Sequence, residues 1–92
     1  MRYAWDDEKN TANRQKHGID FNEMAGFDWD FAALLETQTI DFEERELWAG
    51  PIGNRLFAVV VTERHGAVLR IISLRRATNT EINLWRKEFS HG

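Results

Sequence analysis

The stretch LFAVVVTERHGAVLRIIS (residues 56–73) decides the fold, because it joins two apolar runs through a polar turn. The first run, LFAVVV, is apolar on both faces of an extended strand, which predicts a central strand covered on both sides. The second run, AVLRIIS, is rich in β-branched residues and predicts a neighbouring strand, with the turn at residues 63–66. The sequence therefore predicts an antiparallel hairpin at the middle of a sheet.

Further strands are predicted on the N-terminal side of this hairpin. The segments TQTIDF (residues 37–42) and ERELWAG (residues 44–50) have strand composition, and the lone proline, Pro51, opens the next predicted turn. ERELWAG is polar enough to lie nearer an edge of the sheet. The opening RYAW (residues 2–5) predicts one more short strand. The strands after residue 35 are expected to form an antiparallel meander.

Three helices are predicted around the sheet. Asp6 is a suitable N-cap for a first helix that ends near Gly18. A second helix is predicted within IDFNEMAGFDWDF (residues 19–31), interrupted or ended near residues 26–30. Thr78 and Glu81 form a capping box that predicts the start of a last helix. One face of that helix is apolar and consists of Ile82, Trp85 and Phe89.

Length and composition favour one compact α+β domain over residues 1–92. The chain has no cysteine, so neither a disulfide framework nor a thiolate metal site is available. No signal peptide is recognised at the start, and the apolar run at residues 56–61 is far too short to span a membrane. We therefore expect a cytoplasmic protein without membrane contact.

Charge is unevenly distributed along the chain. The net charge is −3, but residues 1–54 hold 5 Lys+Arg against 12 Asp+Glu, giving −7, while residues 55–92 hold 7 against 3, giving +4. A basic C-terminal half in an acidic protein permits an anionic ligand held by local arginines. A charge split without function is equally compatible with these counts.

One face of the predicted first helix is polar and cationic. Lys9, Asn13, Lys16 and His17 are spaced at i, i+4, i+7 and i+8, so their side chains share that face. A solvated surface stripe is one interpretation of this face, and an anion site is the other. His17 also suits a helix C-terminus as a cation, without any catalytic role.

The stretch RIISLRRAT (residues 70–78) carries three arginines in and around an apolar strand. Strand alternation places Arg70 with Ile72, and Ile71 with Arg75, so the pattern does not assign the core face. Salt bridges could explain the arginines, with these acidic residues of the preceding strands as partners: Asp41, Glu43, Glu44 and Glu46. Phosphate binding is the alternative, because the planar guanidinium fork matches phosphate oxygens.

Other chemistries find little support in the sequence. The three histidines have no metal-ligand spacing, so no metal site is expected. Phosphate-binding glycine loops and nucleophile-elbow motifs are absent, and Ser73 has no evident triad partner. The four tryptophans favour packing in the core or at a partner interface over stacking on bases.

Three stretches together resemble the BrnT family of ribonuclease toxins from type II toxin–antitoxin modules. They are WDDEKNTANRQKHGIDF (residues 5–21), EER (residues 43–45) and RIISLRRAT (residues 70–78). The N-terminal signature is met at these positions: Trp5, Asp6, Lys9, Asn13, Lys16, His17, Gly18, Ile19 and Phe21. The downstream signature is met at Arg70, Ile71, Ile72, Ser73, Arg75 and Ala77, with Arg64 in the preceding turn.

The resemblance implies a RelE-like fold, with a small antiparallel sheet, two N-terminal helices and a C-terminal helix. It implies RNA cleavage that inhibits translation, and neutralisation by a cognate antitoxin, typically a BrnA-like ribbon-helix-helix protein. Contact with DNA is then expected only through the antitoxin. The chain departs from the toxins of this superfamily in being acidic, since those are commonly basic.

Metal-free RNA cleavage by the ribose 2′-OH needs a base and cations that stabilise the phosphorane. With the resemblance, His17 is the first candidate for the base, and Glu44 and Lys16 are alternatives. Arg64 and Arg75 are the expected phosphate clamp. The expected RNA-binding residues are Lys9, Asn13, Arg70, Ser73 and Arg76. A noncatalytic RelE-like module that binds antitoxin or RNA is the alternative function.

Overall fold

The computed structural model describes residues 2–64 and 66–90, which form one five-stranded sheet flanked by helices. Two short 3₁₀ helices cover Phe21–Gly26 and Trp29–Phe31. The other elements are β1 (Arg2–Ala4), α1 (Asp7–His17), β2 (Ala33–Ile40), β3 (Glu43–Ile52), β4 (Arg55–Arg64), β5 (Val68–Arg76) and α2 (Asn79–Phe89). In the described part, none of the helices has the length and apolar character needed to cross a membrane.

The sheet is mixed, which corrects the prediction of an antiparallel one. Its strand order is β1-β5-β4-β3-β2, and the predicted central hairpin is confirmed as β4 and β5. The pairs β2–β3, β3–β4 and β4–β5 are antiparallel, whereas β1 lies parallel to β5 with Tyr3 opposite Leu69. A three-residue strand gives no sequence signal for its partner or direction, so the parallel pair was missed.

Local capping places both α-helices as predicted. The Asp6 carboxylate accepts a hydrogen bond from the Glu8 N–H at 2.8 Å, and Gly18 ends α1 in the left-handed conformation at φ 71°. Thr78 and Glu81 make both hydrogen bonds of the capping box at the start of α2.

The predicted second N-terminal α-helix is instead formed by two short 3₁₀ helices. Phe21, Met24 and Phe27 recur every three residues and are all buried, which matches the three-residue turn of a 3₁₀ helix. Phe27 is already extended and bridges to Ile52 of β3. Packing of these three side chains against the sheet therefore replaces a regular α-helix.

Two of the predicted strand limits shift by several residues. β2 begins at Ala33 and ends at Ile40, because Asp41 and Phe42 form a tight turn with φ 50° and 65°. β3 continues through Pro51, so the next turn falls at Gly53 and Asn54. Positive φ at both central residues is the geometry of a type I′ hairpin turn, which usually selects Asn-Gly.

A β-bulge explains why alternation in β5 did not assign the core face. Opposite Val60 and Val61 the register of β5 shifts from Ser73 to Ile71. The additional residue, Ile72, lets Ile71 and Leu74 both face the core, and both are fully buried. The core consists of Phe21, Met24, Phe27, Val59, Val61, Ile71 and Leu74.

The opposite face of the sheet is only partly covered. The register-paired alanines Ala33, Ala49 and Ala58 are buried where α2 packs on β2 and β3. Their small side chains let the helix approach closely. Farther along this face a shallow cavity of about 280 Å³ remains, with Val60 and Ser73 among its lining residues.

We expect Gly50→Ala to lower the free energy of unfolding by about 1 to 3 kcal/mol, as overpacking of a core does. A Cβ at Gly50 would lie 2.6 Å from the Phe27 ring and 3.1 Å from the Ala32 Cβ. The matched control is Gly26→Ala, whose Cβ would lie 3.4 Å from Ile52. Urea unfolding of both variants measures the difference, and an equal effect would contradict the packing argument.

Candidate active site

The side chain of Asn13 fixes α1 against β5. Its Oδ1 accepts from the Leu74 N–H at 3.1 Å, and its Nδ2 donates to the Leu74 carbonyl at 2.8 Å and to the Ile19 carbonyl at 2.9 Å. Asn13 is buried, and its amide pairs with β5 beyond the end of β1 as a strand residue would. Both N–H groups of this amide are used within the protein, so in this structure Asn13 serves the attachment of α1, and its predicted contact with RNA stays a prediction.

His17 ends α1 one turn beyond Asn13, on the helix side that faces β5. Its side chain is half-buried. The hydrogen bonds of Asn13 to Leu74 bring the C-terminal half of α1 to the end of β5, one residue before Arg75. Burial lowers the pKa of His17 below its ordinary value, and the positive charges of Lys16 and Arg75 lower it further. The imidazole is therefore neutral at pH 7 and able to accept a proton.

Arg75 joins the end of β5 to the start of α2. Its Nη1 and Nη2 donate to the two carboxylate oxygens of Glu81 at 2.7 and 2.8 Å. The Glu81 carboxylate also accepts from the Thr78 N–H at 2.9 Å, as part of the capping box. Hydrogen bonds from Arg75 hold the pKa of Glu81 below its ordinary value, and Glu81 raises the pKa of Arg75. The guanidinium is thus fixed in position as a permanent cation.

Arg75 forms a salt bridge, which was one of the two interpretations of the arginines in RIISLRRAT. Its partner is not one of the acidic residues that the sequence suggested. The acids of β3 and its turn were expected, whereas Glu81 of α2 forms the pair. The sequence marked Glu81 only as a helix cap. Six residues separate the two partners across a strand end and a turn, so neither strand nor helix periodicity relates them.

Three further candidate cations lie near the ends of these elements. Lys9 and Lys16 are exposed on α1, and Arg76 is exposed at the end of β5. Arg76 lies 5.8 Å from the centre of the Phe57 ring, in cation–π range. Lys16 and Arg76 thus lie at the same helix and strand ends as His17 and Arg75, whereas Lys9 lies in the first turn of α1, two turns from His17.

Arg70 and Ser73 lie farther along β5, on the partly covered face. Arg70 is half-buried opposite Thr62 and beside Ala4 of β1. Ser73 is half-buried and lines the shallow cavity. Ser73 lies two residues before Arg75 in β5 and Arg70 five residues before it, so Arg70 is the more distant of the two from the end of the strand.

Glu44 and Arg64 lie at the other end of the sheet. Arg64 pairs with Val68 through its backbone, whereas Arg75 pairs with Ala58 near the opposite end of the same hairpin. The intervening residues of β5 span roughly 20 Å, at about 3.3 Å per residue. Glu44 lies at the acidic β2–β3 turn, beside Glu63 in the same surface depression. The structure therefore does not bring Arg64 and Arg75 together at one phosphate, nor Glu44 to His17.

The site that remains lies where the C-terminus of α1, the end of β5 and the start of α2 meet. It combines a neutral imidazole at His17 with the cations Lys16, Arg75 and Arg76. Fold and site together give a small α+β protein with a cationic edge, whose guanidinium and ammonium groups are the types that suit phosphate.

Comparison with known proteins assigns the family. The model of the family described as "Ribonuclease toxin, BrnT, of type II toxin-antitoxin system" matches residues 5–81. The chain therefore belongs to the BrnT family of ribonuclease toxins, which confirms the resemblance. A search of curated proteins finds no match.

A solved structure is similar over most of the chain. It is the crystal structure of the ribonuclease toxin BrnT from Brucella abortus, which is 28% identical in sequence with a TM-score of 0.68. The match covers 86% of this chain and 99% of that one. It supports the α+β fold with a five-stranded mixed sheet.

Proposed function

We propose that this chain is a metal-independent endoribonuclease toxin that cleaves RNA through attack of the ribose 2′-OH on the adjacent phosphate. The observation that carries the proposal is His17, whose pKa is lowered by burial and by the charges of Lys16 and Arg75. A neutral imidazole next to fixed cations is what this reaction requires.

In the proposed mechanism, His17 accepts the proton of the 2′-OH as the oxygen attacks phosphorus. Negative charge develops on the phosphorane, and Lys16 and Arg75 stabilise it. The bond to the 5′ oxygen then breaks, and that oxygen takes a proton from solvent water to give a 5′-OH, while the proton on His17 returns to solvent. The other product carries a 2′,3′-cyclic phosphate.

Arg75 can contact phosphate while it remains paired with Glu81. A guanidinium has five N–H donors, and the described partners use both N–H groups of Nη1 and one of Nη2. The Nε–H and the second Nη2–H lie together on another edge of the planar group. Glu81 thus orients this edge, and the proposal assigns the phosphate to it.

The remaining cations serve RNA binding in this proposal. Lys9 and Arg76 are exposed and are proposed to contact phosphates that flank the cleaved one. Arg70 and Ser73 are proposed to position RNA farther along β5. Glu44 and Arg64 are left out of the mechanism, because both lie at the other end of the sheet.

Cleavage of RNA in the cytoplasm would inhibit translation, and a cognate antitoxin would neutralise the toxin. Membership of a type II toxin–antitoxin family supports the antitoxin partner. We propose that the antitoxin is BrnA-like, with a ribbon-helix-helix domain through which alone the complex contacts DNA.

We expect the purified chain to cut a defined single-stranded RNA in the presence of EDTA, leaving a 2′,3′-cyclic phosphate and a 5′-OH. The same RNA with every 2′-OH methylated should remain intact, because the nucleophile is blocked. Electrophoresis and mass spectrometry of the product ends measure both results. Cleavage of the methylated RNA would exclude this mechanism. No cleavage of either RNA, free or on translating ribosomes, would favour a noncatalytic module.

A further inference from the structure

Exposed large apolar side chains concentrate along one edge of the sheet. In the part of the chain that the structure describes, they are Phe31, Leu34, Ile40, Phe42, Leu84 and Phe89. Four of the six fall within residues 31–42, which include all of β2 and its following turn. Phe89 of α2 lies against Phe31, with 5.8 Å between ring centres. Leu34 and Ile40 lie on opposite faces of β2, so exposed apolar side chains flank this edge on both faces, as at an interaction site.

Strand β2 leaves one backbone edge of the sheet unpaired. It is the last strand in the sheet order and pairs only with β3. Its eight residues, ALLETQTI, contain neither proline nor lysine, the residues that commonly protect an edge strand. One register shift between Leu34 and Glu36 is its only irregularity. The rest of this edge is able to accept an added strand.

Phe42 occupies a position that serves the fold poorly. It has φ 65° at the second central residue of the β2–β3 turn, where glycine is usual, and its side chain is 104% exposed. Left-handed backbone is unfavourable for a residue with a Cβ, and no packing of this ring offsets that cost. A strained, fully exposed aromatic residue points to a role outside the chain.

The charge around this edge selects the kind of partner. Residues 17–44 contain eight Asp and Glu and neither Lys nor Arg. Asp41, Glu43, Glu44 and Glu63 surround the depression at the tip of the hairpin. The next cation, Arg45, lies 3.4 Å from the Glu43 carboxylate. Such a surface repels RNA and attracts a basic protein segment.

We propose that the antitoxin binds along the open edge of β2, with an extended segment that alternates apolar and Lys or Arg side chains. Backbone pairing with β2 would set the register of the antitoxin segment. The apolar contacts would come from Phe31, Leu34, Ile40 and Phe42. The existence of an antitoxin rests on the family and the proposed function. The docking surface is separate from the proposed active site, because β2 and the β1–β5 pair lie at opposite edges of the sheet.

The test uses the full-length antitoxin encoded next to this chain in its own genome, purified separately. The docking variants are Leu34→Ser and Phe42→Ser. Leu84→Ser is the matched control, because Leu84 is 44% exposed, close to the 47% of Leu34, but lies on α2, outside residues 31–42. We expect each docking variant to weaken antitoxin binding at least tenfold, as loss of an interface anchor does. Leu84→Ser should bind as the parent does.

Two further measurements separate docking from catalysis. RNA cleavage by Leu34→Ser and Phe42→Ser should equal that of the parent, and hydrogen exchange of β2 amides should slow in the complex. Unchanged antitoxin binding in both variants, or an equal loss in Leu84→Ser, would overturn the proposal. Weaker RNA binding by Leu34→Ser or Phe42→Ser would also overturn it, because the edge would then contact RNA. A parent chain that forms no complex with the antitoxin would overturn it as well. A parent that binds antitoxin through β2 but cuts no RNA would refute only the proposed function.

Discussion

Replacing His17 with glutamine is expected to reduce kcat/KM for RNA cleavage by roughly 100-fold to 10,000-fold, the usual contribution of a general base. Glutamine keeps hydrogen-bonding capacity and a similar length but does not titrate. Gln15→Ala is the control on the same helix end, because Gln15 is exposed. Single-turnover cleavage of a short RNA measures both variants. A loss below tenfold in His17→Gln would remove His17 as the base.

The pH profile gives a second check on this role. The base acts when neutral, and the pKa of His17 is lowered from its ordinary 6.5, so kcat/KM should rise with pH and reach half of its plateau below pH 6.5. Lys16→Met removes one of the charges that lower this pKa, so the rising limb should move to higher pH while the rate falls. A limb that disappears in His17→Gln and moves in Lys16→Met would identify the titrating group.

Asn13→Ala is expected to lower the free energy of unfolding by about 3 kcal/mol, the largest effect on stability that we predict. It leaves the buried N–H and carbonyl of Leu74 without partners, each at a cost of about 1 to 3 kcal/mol. Alanine favours helix more than asparagine does, so the loss would come from tertiary hydrogen bonds. For a domain of this size it lowers Tm by roughly 10 to 20 °C.

Thermal and urea unfolding, with Gln15→Ala as the reference, test this expectation. Gln15 lies on the same helix but is exposed, so its replacement by alanine should change stability little. If Asn13→Ala unfolds with the parent's midpoint, the Asn13 amide does not carry the attachment of α1. RNA cleavage by folded Asn13→Ala should also fall, because the position of His17 depends on that attachment.

The sequence predicted those parts of the fold that local chemistry determines. Both α-helices were predicted from their caps, and the β4–β5 hairpin from its apolar runs. The second helix was misassigned because Phe21, Met24 and Phe27 follow a three-residue period that resembles a helical face over so short a distance. The direction of β1 depends on its long-range partner, β5, and local patterns do not contain that information.

In the candidate site too, local patterns predicted neighbours in sequence but not contacts between distant elements. Helix spacing grouped Lys16 with His17, and the arginines of β5 stood out by composition, but neither pattern showed that the end of α1 meets the end of β5. The resemblance placed Arg64 beside Arg75, although the hairpin separates them by most of its length. Asn13 matched the family signature, yet its buried contacts with Leu74 show that a fixed position in a motif can serve the fold.

The Asn13 amide also affects where this sheet can grow. Strand β1 covers the outer edge of β5 at Val68–Arg70, and Asn13 occupies the backbone groups of Leu74 farther along. A sheet with two free edges can add chains on both sides and extend into a filament. On the β5 side the free edge is therefore the three-residue strand β1, whereas β2 offers eight residues. An added chain meets one long edge and one very short edge, which favours pairing with a single partner over open-ended growth.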